Sequence, residues 1–361
     1  MEKLKITFYE NKEQSWSKLN SVESNASDYF EVVENSNILF VADNSIIQLI
    51  DANETIINKL NSYKTIVLFS LVEPFIDYNW LLLFSQQKNK FKGQKFVVVT
   101  VNCAAYNFID DDFIFMDIKS IICQWKPHLE DNLNPEYSPK NFFKEKKYKF
   151  ISLTGKPKSF REKLVETLID LEYVNDTNLI TYHPNSIPGQ LQISDTLANK
   201  FYSNNIINQN SKMEYDRVQS RPSYASVSHS LYQKSFCNIY SEYDFNFNER
   251  WFPITEKTFY PMLNNCLNVF WGQPDYYFKI LNEKFGFENY TEINYIPNNT
   301  ETKNQTINGL IDNLKKLKDF DIENYYWENL DKIKYNHNIA YTYFYEYDWT
   351  FNLYNTIKNT I

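Results

Sequence analysis

The chain has 361 residues, of which 43% are hydrophobic and 17% aromatic, and this composition excludes an intrinsically disordered protein. Its length predicts about two domains, each large enough for a core of its own. The formal net charge of −8 disfavours nucleic acid as the main partner, because proteins that bind the phosphate backbone usually carry a basic surface.

In the first part of the chain, short apolar runs rich in β-forming residues alternate with helical patterns. This alternation predicts parallel βαβ units with buried strands. The predicted strands cover residues 4–8, 37–42, 65–69 and 95–101, and the predicted helices cover 51–61 and 79–90.

The same pattern returns after a polar stretch at 138–147, which we take as the boundary between two α/β domains. Predicted strands lie at 147–153, 179–181, 236–241 and 267–271, with helices at 159–171, 256–264 and 276–285. Pro261 falls inside the second of these helices and is expected to kink or shorten it. The pattern is helical from residue 306 onward. The predicted organisation is a first α/β domain at 1–140, a second α/β domain at 147–300 and C-terminal helices at 301–361, with a cleft between the two domains.

The four cysteines are far apart and form no CxxC pair, so we expect reduced core residues and neither a disulfide framework nor a zinc site. The chain begins without the apolar region of a signal peptide, and its longest apolar stretches are far shorter than a membrane span. A soluble cytoplasmic protein without a membrane partner is therefore expected.

The sequence lacks the motifs of several enzyme classes. The six glycines allow neither GxGxxG nor GxxxxGK[ST], which excludes a dinucleotide dehydrogenase and a P-loop NTPase. HExxH, GxSxG and a His–Cys pairing are absent as well. The four histidines are isolated in sequence and are interpreted as surface or structural residues, and the acidic run 110–112 as a turn.

Three blocks each place charge just beyond a predicted strand or at a helix start, where α/β sheets bind their ligands. The first leads from a strand to a helix carrying Arg161, and the second is a strand that ends at Glu242. The third opens with Thr255, Glu256 and Lys257. Thr255 is a suitable N-cap, and Glu256 suits the positive end of the helix dipole. Lys257 opposes that dipole unless an anion such as a nucleotide phosphate shares the site.

In this order, and with the apolar strand and Trp271-Gly272-Gln273-Pro274 turn that follow, the blocks resemble the nucleotide-binding half of the alpha-1,3-fucosyltransferase family, glycosyltransferase family 10. They also look like fucosyltransferase-like proteins of large phages and viruses. The resemblance covers roughly residues 147–287. It implies an α/β fold of two facing Rossmann-like domains, the GT-B arrangement, here with a helical C-terminal segment. In that arrangement 1–140 is the acceptor-side domain and 147–300 is the nucleotide-sugar-binding domain. It further implies inverting, metal-independent sugar transfer without a cofactor, from a nucleotide-sugar donor to a glycan or other hydroxyl acceptor. A GDP-sugar is favoured, with GDP-fucose as one candidate.

Carried over to this sequence, the resemblance implies that Arg161 and Lys257 contact the donor diphosphate, that Glu256 binds the ribose, and that Glu242 lies against the sugar. Arg250 and Gly272 are further candidates for donor binding, although Arg250 is equally consistent with a solvated side chain. Tyr243 stands where the family has Asn, and the loop at 244–250 is longer and more aromatic than in the family, so the donor sugar can differ from fucose.

The first domain has no comparable match. Glu73 follows a predicted buried strand and is the candidate general base, because an apolar cleft would raise the pKa of its carboxyl. A turn-forming Glu before Pro74 is an equally good interpretation. Asn102, at the end of the next strand, is a candidate for lining the same cleft. Two alternative functions stay open: a nucleotide- or sugar-binding protein without turnover, and a glycosyltransferase acting on modified DNA.

Overall fold

A computed structural model of the protein describes residues 2–9, 26–42, 44–50, 52–70, 76, 78–91, 93–100, 105–106, 108–117, 146–154, 159–182, 231–241, 254, 256–272, 275–298 and 300–361. The chain divides into two compact units. The first comprises Met1–Lys126, Asn248–Thr255 and Thr342–Ile361. The second comprises Pro127–Phe247 and Glu256–Tyr341.

The first unit contains a six-stranded sheet in which every described pairing is parallel. Its strands, in chain order, are β1 (Leu4–Phe8), β2 (Phe30–Val32), β3 (Ile38–Ala42), β4 (Thr65–Ser70), β5 (Lys95–Thr100) and β6 (Phe113–Phe115). They lie in the order β2-β1-β3-β4-β5-β6. The described helices between them are α1 (Ala26–Tyr29), α2 (Asn44–Ile47), α3 (Glu54–Leu60) and α4 (Tyr78–Gln86), the last followed by a 3₁₀ turn at Lys88–Lys90.

Alternate residues of the central strands face opposite sides of this sheet, as strand geometry requires. Val67 and Phe69 of β4 pack on one side, in a cluster with Trp349 and Leu353 from the end of the chain. The neighbouring residues of β4 pack on the other side, against Trp80, Leu81 and Phe84 of α4. Both faces of β4 are therefore covered, which is why its residues 66–69 are all apolar.

The second unit contains a four-stranded parallel sheet. Its strands are β7 (Tyr148–Thr154), β8 (Leu179–Tyr182), β9 (Ser235–Tyr240) and β10 (Leu267–Phe270), in the order β8-β7-β9-β10. Among the described residues, the helices of bounded range that accompany them are α5 (Ser159–Asp170), α6 (Glu256–Leu263) and α7 (Asp275–Glu283).

The chain continues through four helices, α8 (Lys303–Lys318), α9 (Ile322–Glu328), α10 (Leu330–Tyr345) and α11 (Trp349–Lys358). Leu310 and Leu314 of α8 and Tyr326 of α9 join the core cluster that covers β7, β9 and β10. The Tyr173 hydroxyl donates to the Leu314 carbonyl at 2.7 Å and ties α8 to the loop after α5. The division between the units falls within α10 at Thr342, and α11 packs in the first unit.

The predicted class, an α/β protein with parallel sheets and a helical C-terminal segment, is confirmed. The predicted strands are found with ends that differ by at most one residue, and Pro261 lies inside α6 without ending it. Strands β2 and β6 were not predicted, because three residues are too few for a recognisable alternation. The acidic turn is confirmed: the Asp112 N–H donates to Oδ1 of Asp110 at 3.1 Å, and Lys95 pairs with Asp112 at 2.9 Å.

Candidate functional site at the carboxyl edge of the second sheet

The strand order of the second sheet creates a topological switch point between β7 and β9. From β7 the chain runs through α5 to β8 on one side, whereas β9 and β10 lie on the other side of β7. In open parallel sheets, ligands bind in the crevice outside the carboxyl ends of the two strands at such a point. The fold therefore marks the ends of β7 and β9 as the candidate site.

Within the part of the chain that the structure describes, α5, α6 and α7 follow β7, β9 and β10 and therefore begin at this edge of the sheet. The first turn of a helix carries N–H groups without intrahelical partners and the positive end of the helix dipole. Several helix starts along one sheet edge thus favour an anionic ligand.

Arg161 is the third residue of α5 and only 9% exposed. A guanidinium in this position opposes the helix dipole, and burial makes it dependent on hydrogen-bonding or anionic partners. The adjacent Phe160 fixes the start of the helix, because its ring centroid lies 5.7 Å from that of Trp271, the residue directly after β10. Arg161 is therefore held on a rigid part of the core beside the switch point.

Lys257 is the second residue of α6 and half-buried. Pro261 lies four residues later and has no N–H, so the Lys257 carbonyl receives no helical hydrogen bond from that position. Lys257 and Arg161 thus occupy the first turns of the helices that follow the two strands at the switch point.

Three buried hydroxyls connect the starts of α6 and α7 to the end of β9. The Tyr240 hydroxyl donates to Oγ1 of Thr258 at 3.0 Å and lies 3.2 Å from the Tyr277 hydroxyl. Thr258 and Tyr277 are themselves in hydrogen-bond contact. All three side chains are at most 5% exposed. We call these three side chains the hydroxyl triad.

A chain of asparagines supports the backbone at the same place. Asn238 and Asn268 face each other across β9 and β10, and Nδ2 of Asn238 donates to Oδ1 of Asn268 at 3.4 Å. Nδ2 of Asn268 donates to the Thr258 carbonyl at 3.0 Å. On the other side of β10, Asn294 accepts from the Phe270 N–H at 2.8 Å and donates to the Asn268 carbonyl at 2.9 Å. Buried amides therefore tie β10 to the first turn of α6.

The opposite end of α6 is closed by a Schellman motif. Asn265 has a positive φ of 52°, its N–H donates to Met262, and the N–H of Cys266 donates to Pro261 at 2.9 Å. Nζ of Lys146 donates to the Asn265 carbonyl at 3.0 Å and to the Ser235 carbonyl at 2.9 Å. Burial lowers the pKa of Lys146 to about 8. The helix that carries Lys257 is thus fixed at both ends.

Gly272 follows β10 and has a φ of 85°, in the left-handed region that favours glycine. Of the residues named for the site from the sequence, the structure brings Arg161, Lys257 and Gly272 to one edge of one sheet. The other candidates lie outside the described residues: Glu73, Asn102, Glu242, Arg250 and Thr255. Glu256 belongs to α6, but its side chain is likewise not described.

The hydroxyl triad and the asparagine chain were not found from the sequence. Their members are separated by up to 56 positions, and each one, read alone, resembles an ordinary strand or helix residue. The two described cysteines agree with the sequence interpretation, since Cys237 and Cys266 are buried and free. His337 is a buried structural histidine, also as expected.

Within the described ranges, no group of three His, Cys, Asp or Glu side chains is arranged to hold a metal ion. None of the helices in those ranges is long and apolar enough to cross a membrane.

No protein-family profile and no curated protein matches the sequence. Among solved structures, a UDP-forming alpha,alpha-trehalose-phosphate synthase from Burkholderia xenovorans aligns with a TM-score of 0.42 and 9% identity, over 90% of this chain and 74% of that one. A protein described as a UDP-N-acetylglucosamine 2-epimerase from Listeria monocytogenes aligns with a TM-score of 0.38 and 8% identity, over 96% of this chain and 98% of that one. Likenesses this weak carry no argument, so the candidate site depends on its own geometry.

Proposed function

We propose that the protein is a glycosyltransferase that moves a sugar from a nucleotide-sugar donor to an acceptor hydroxyl. One observation carries the proposal: Arg161 and Lys257 lie in the first turns of the two helices that follow β7 and β9, the strands at the switch point. A nucleoside diphosphate supplies the anion that both cations and both helix starts favour.

In this proposal the acceptor oxygen attacks the anomeric carbon as the bond from that carbon to the diphosphate oxygen breaks. The acceptor proton passes to Glu73, the proposed general base. Negative charge accumulates on the departing diphosphate, where Arg161 and Lys257 stabilise it without a metal ion. Attack from the face opposite the leaving group inverts the anomeric configuration.

The finer assignments come from the resemblance to the fucosyltransferase family. They are a GDP-sugar as the favoured donor, GDP-fucose as one candidate, ribose binding by Glu256 at the start of α6, and sugar contact by Glu242. A helix start suits Glu256, because a carboxylate there is stabilised by the dipole while it accepts ribose hydroxyls.

A donor panel tests the proposal. The purified protein is incubated with GDP-fucose, GDP-mannose, UDP-glucose and UDP-N-acetylglucosamine, and release of nucleoside diphosphate is measured alongside melting with GDP, UDP and ADP. We expect slow hydrolysis of one GDP-sugar and a higher melting temperature with GDP than with ADP.

The matched control is Lys163→Ala, which removes an exposed cation from α5 that pairs with Glu166 at 3.6 Å. It should leave hydrolysis unchanged, whereas Arg161→Ala on the same helix should abolish it. Stabilisation by GDP without any turnover would favour a binding protein. Absence of both effects would contradict the proposal.

A further inference from the structure

The hydroxyl triad joins three elements at the point where the proposed donor diphosphate binds. Tyr240 is the last residue of β9, Thr258 directly follows Lys257 in α6, and Tyr277 lies in the first turn of α7. Because a hydroxyl has one proton, a ring in which Tyr240 donates to Thr258, Thr258 to Tyr277 and Tyr277 to Tyr240 uses each proton once.

Aromatic packing alone does not account for the two tyrosines. The ring of Phe270 lies 5.1 Å from the ring of Tyr240 and 4.9 Å from that of Tyr277. Phenylalanine at both positions would keep these contacts without placing a hydroxyl in the core, where polar groups are costly unless they are bonded. The hydroxyls therefore add what the rings lack, a fixed distance between the strand end and the two helix starts.

The first turn of α6 is held through its backbone as well. Oγ1 of Thr258 belongs to the triad, and the Thr258 carbonyl accepts from Nδ2 of Asn268 at 3.0 Å. One residue thus carries hydrogen bonds on both its side chain and its carbonyl, immediately after the cation of the proposed site. The backbone that carries Lys257 is therefore fixed by the protein itself, without a ligand.

We propose that Tyr240, Thr258 and Tyr277 are positioning residues for the donor, which hold the first turns of α6 and α7 so that Lys257 and the helix N–H groups meet the diphosphate. This inference rests on the proposed function. A prearranged site binds more tightly, because the ligand spends less of its binding free energy on ordering the protein. Loss of one hydroxyl should therefore weaken diphosphate binding without removing any group that touches the ligand.

The test compares four variants with wild type by calorimetric titration of GDP and by thermal melting. Tyr277→Phe and Thr258→Val each remove one hydroxyl of the triad, and Thr258→Ser keeps the hydroxyl. Tyr173→Phe is the matched control: it removes a buried tyrosine hydrogen bond of the same unit, after the carboxyl end of α5 and thus at the opposite edge of the sheet.

We expect Tyr277→Phe and Thr258→Val to raise the Kd for GDP about five- to tenfold. Thr258→Ser keeps the hydroxyl, so its Kd should lie within about twofold of the wild-type value. Tyr173→Phe should lower the melting temperature but leave the Kd unchanged. Wild-type Kd values in Tyr277→Phe and Thr258→Val would overturn the inference and leave the proposed function standing. Failure of the wild-type protein to bind either GDP or UDP would overturn both, and if only UDP binds, the same variants are titrated with UDP. If Thr258→Val does not fold, Tyr277→Phe decides the question.

Discussion

The Nδ1 atom of His337 in α10 lies 2.8 Å from the carbonyl oxygen of Leu263, the last residue of α6. A carbonyl only accepts, so Nδ1 carries the proton and donates. The hydroxyl triad holds the first turn of this helix, and His337 and Lys146 hold its end. The element that carries Lys257 is thus fixed along its length, which is what a prearranged anion site requires.

His337 makes the fold sensitive to mild acid. Burial lowers the pKa of His337 below its ordinary value of 6.5. The folded protein therefore binds fewer protons than the unfolded chain just below pH 6.5, and the free energy of unfolding falls as pH decreases through that window. His337→Asn keeps a donor for Leu263 but cannot titrate.

We expect urea unfolding at pH 7 and pH 5.5 to show a stability loss in wild type that is smaller in His337→Asn. The carboxyls with lowered pKa, such as that of Asp348, respond at more acidic pH and do so in both proteins. Equal losses in the two proteins would contradict the assignment.

Lys146 gives a response of the same sign at alkaline pH. Its folded pKa of about 8 lies below the ordinary 10.5, so the folded protein loses this proton first and gains stability as pH rises between the two values. Relative to Lys146→Met, wild type should gain about 2 kcal/mol between pH 8 and pH 10. The comparison with Lys146→Met matters because the raised pKa values of Cys237 and Cys266 reduce stability in both proteins at high pH. A stability difference that does not change with pH would refute the burial of a titrating amine.

Gly309 in α8 packs directly against the side chain of Tyr295. A Cβ at this position would overlap the ring of Tyr295, whose hydroxyl donates to Glu301 at 2.7 Å. Replacing glycine by alanine in an open helix stabilises by about 1 kcal/mol, so the sign of the effect is informative. We expect Gly309→Ala to destabilise by about 1–2 kcal/mol in chemical unfolding. In a Tyr295→Ala background the same change should become neutral or stabilising, and a stabilising effect in wild type would show that the ring moves aside freely.

Much of the fold followed from local pattern. The uninterrupted apolar run of β4 predicted a strand buried on both faces, and both faces are covered. The helix start at Lys257 was also predictable, because the polar loop and the following amphipathic turn are local signals. Strands as short as β6 were not predictable, since they depend on pairing with β5 and not on their own three residues.

The site was predictable only in part. Charge beside a strand end identified Arg161 and Lys257, but the order of strands that creates the switch point between β7 and β9 is a property of the whole sheet. The bonds among Tyr240, Thr258 and Tyr277 depend on three elements meeting in space. Neither the strand order nor these hydrogen bonds can be predicted from a short stretch of sequence.

Glu73 is expected to act in catalysis and not in donor binding. If it is the general base, Glu73→Gln should lower kcat for transfer by at least about a hundredfold, because proton transfer by a positioned base contributes that much or more. The Kd for GDP should stay at the wild-type value. Single-turnover transfer with the donor identified by the panel measures the first quantity, and calorimetry the second. Full transfer activity in Glu73→Gln would assign the base elsewhere.

The most direct test of the phosphate site is the Kd for GDP in Arg161→Ala and Lys257→Ala, measured by calorimetry beside two controls. Lys163→Ala and Lys279→Ala remove exposed cations from α5 and α7 that pair with glutamates at 3.6 and 3.9 Å. We expect a Kd at least about tenfold higher in each site variant, equivalent to about 1.4 kcal/mol, and wild-type affinity in both controls. Wild-type affinity in both Arg161→Ala and Lys257→Ala would contradict the placement of the donor diphosphate at the carboxyl edge of the second sheet.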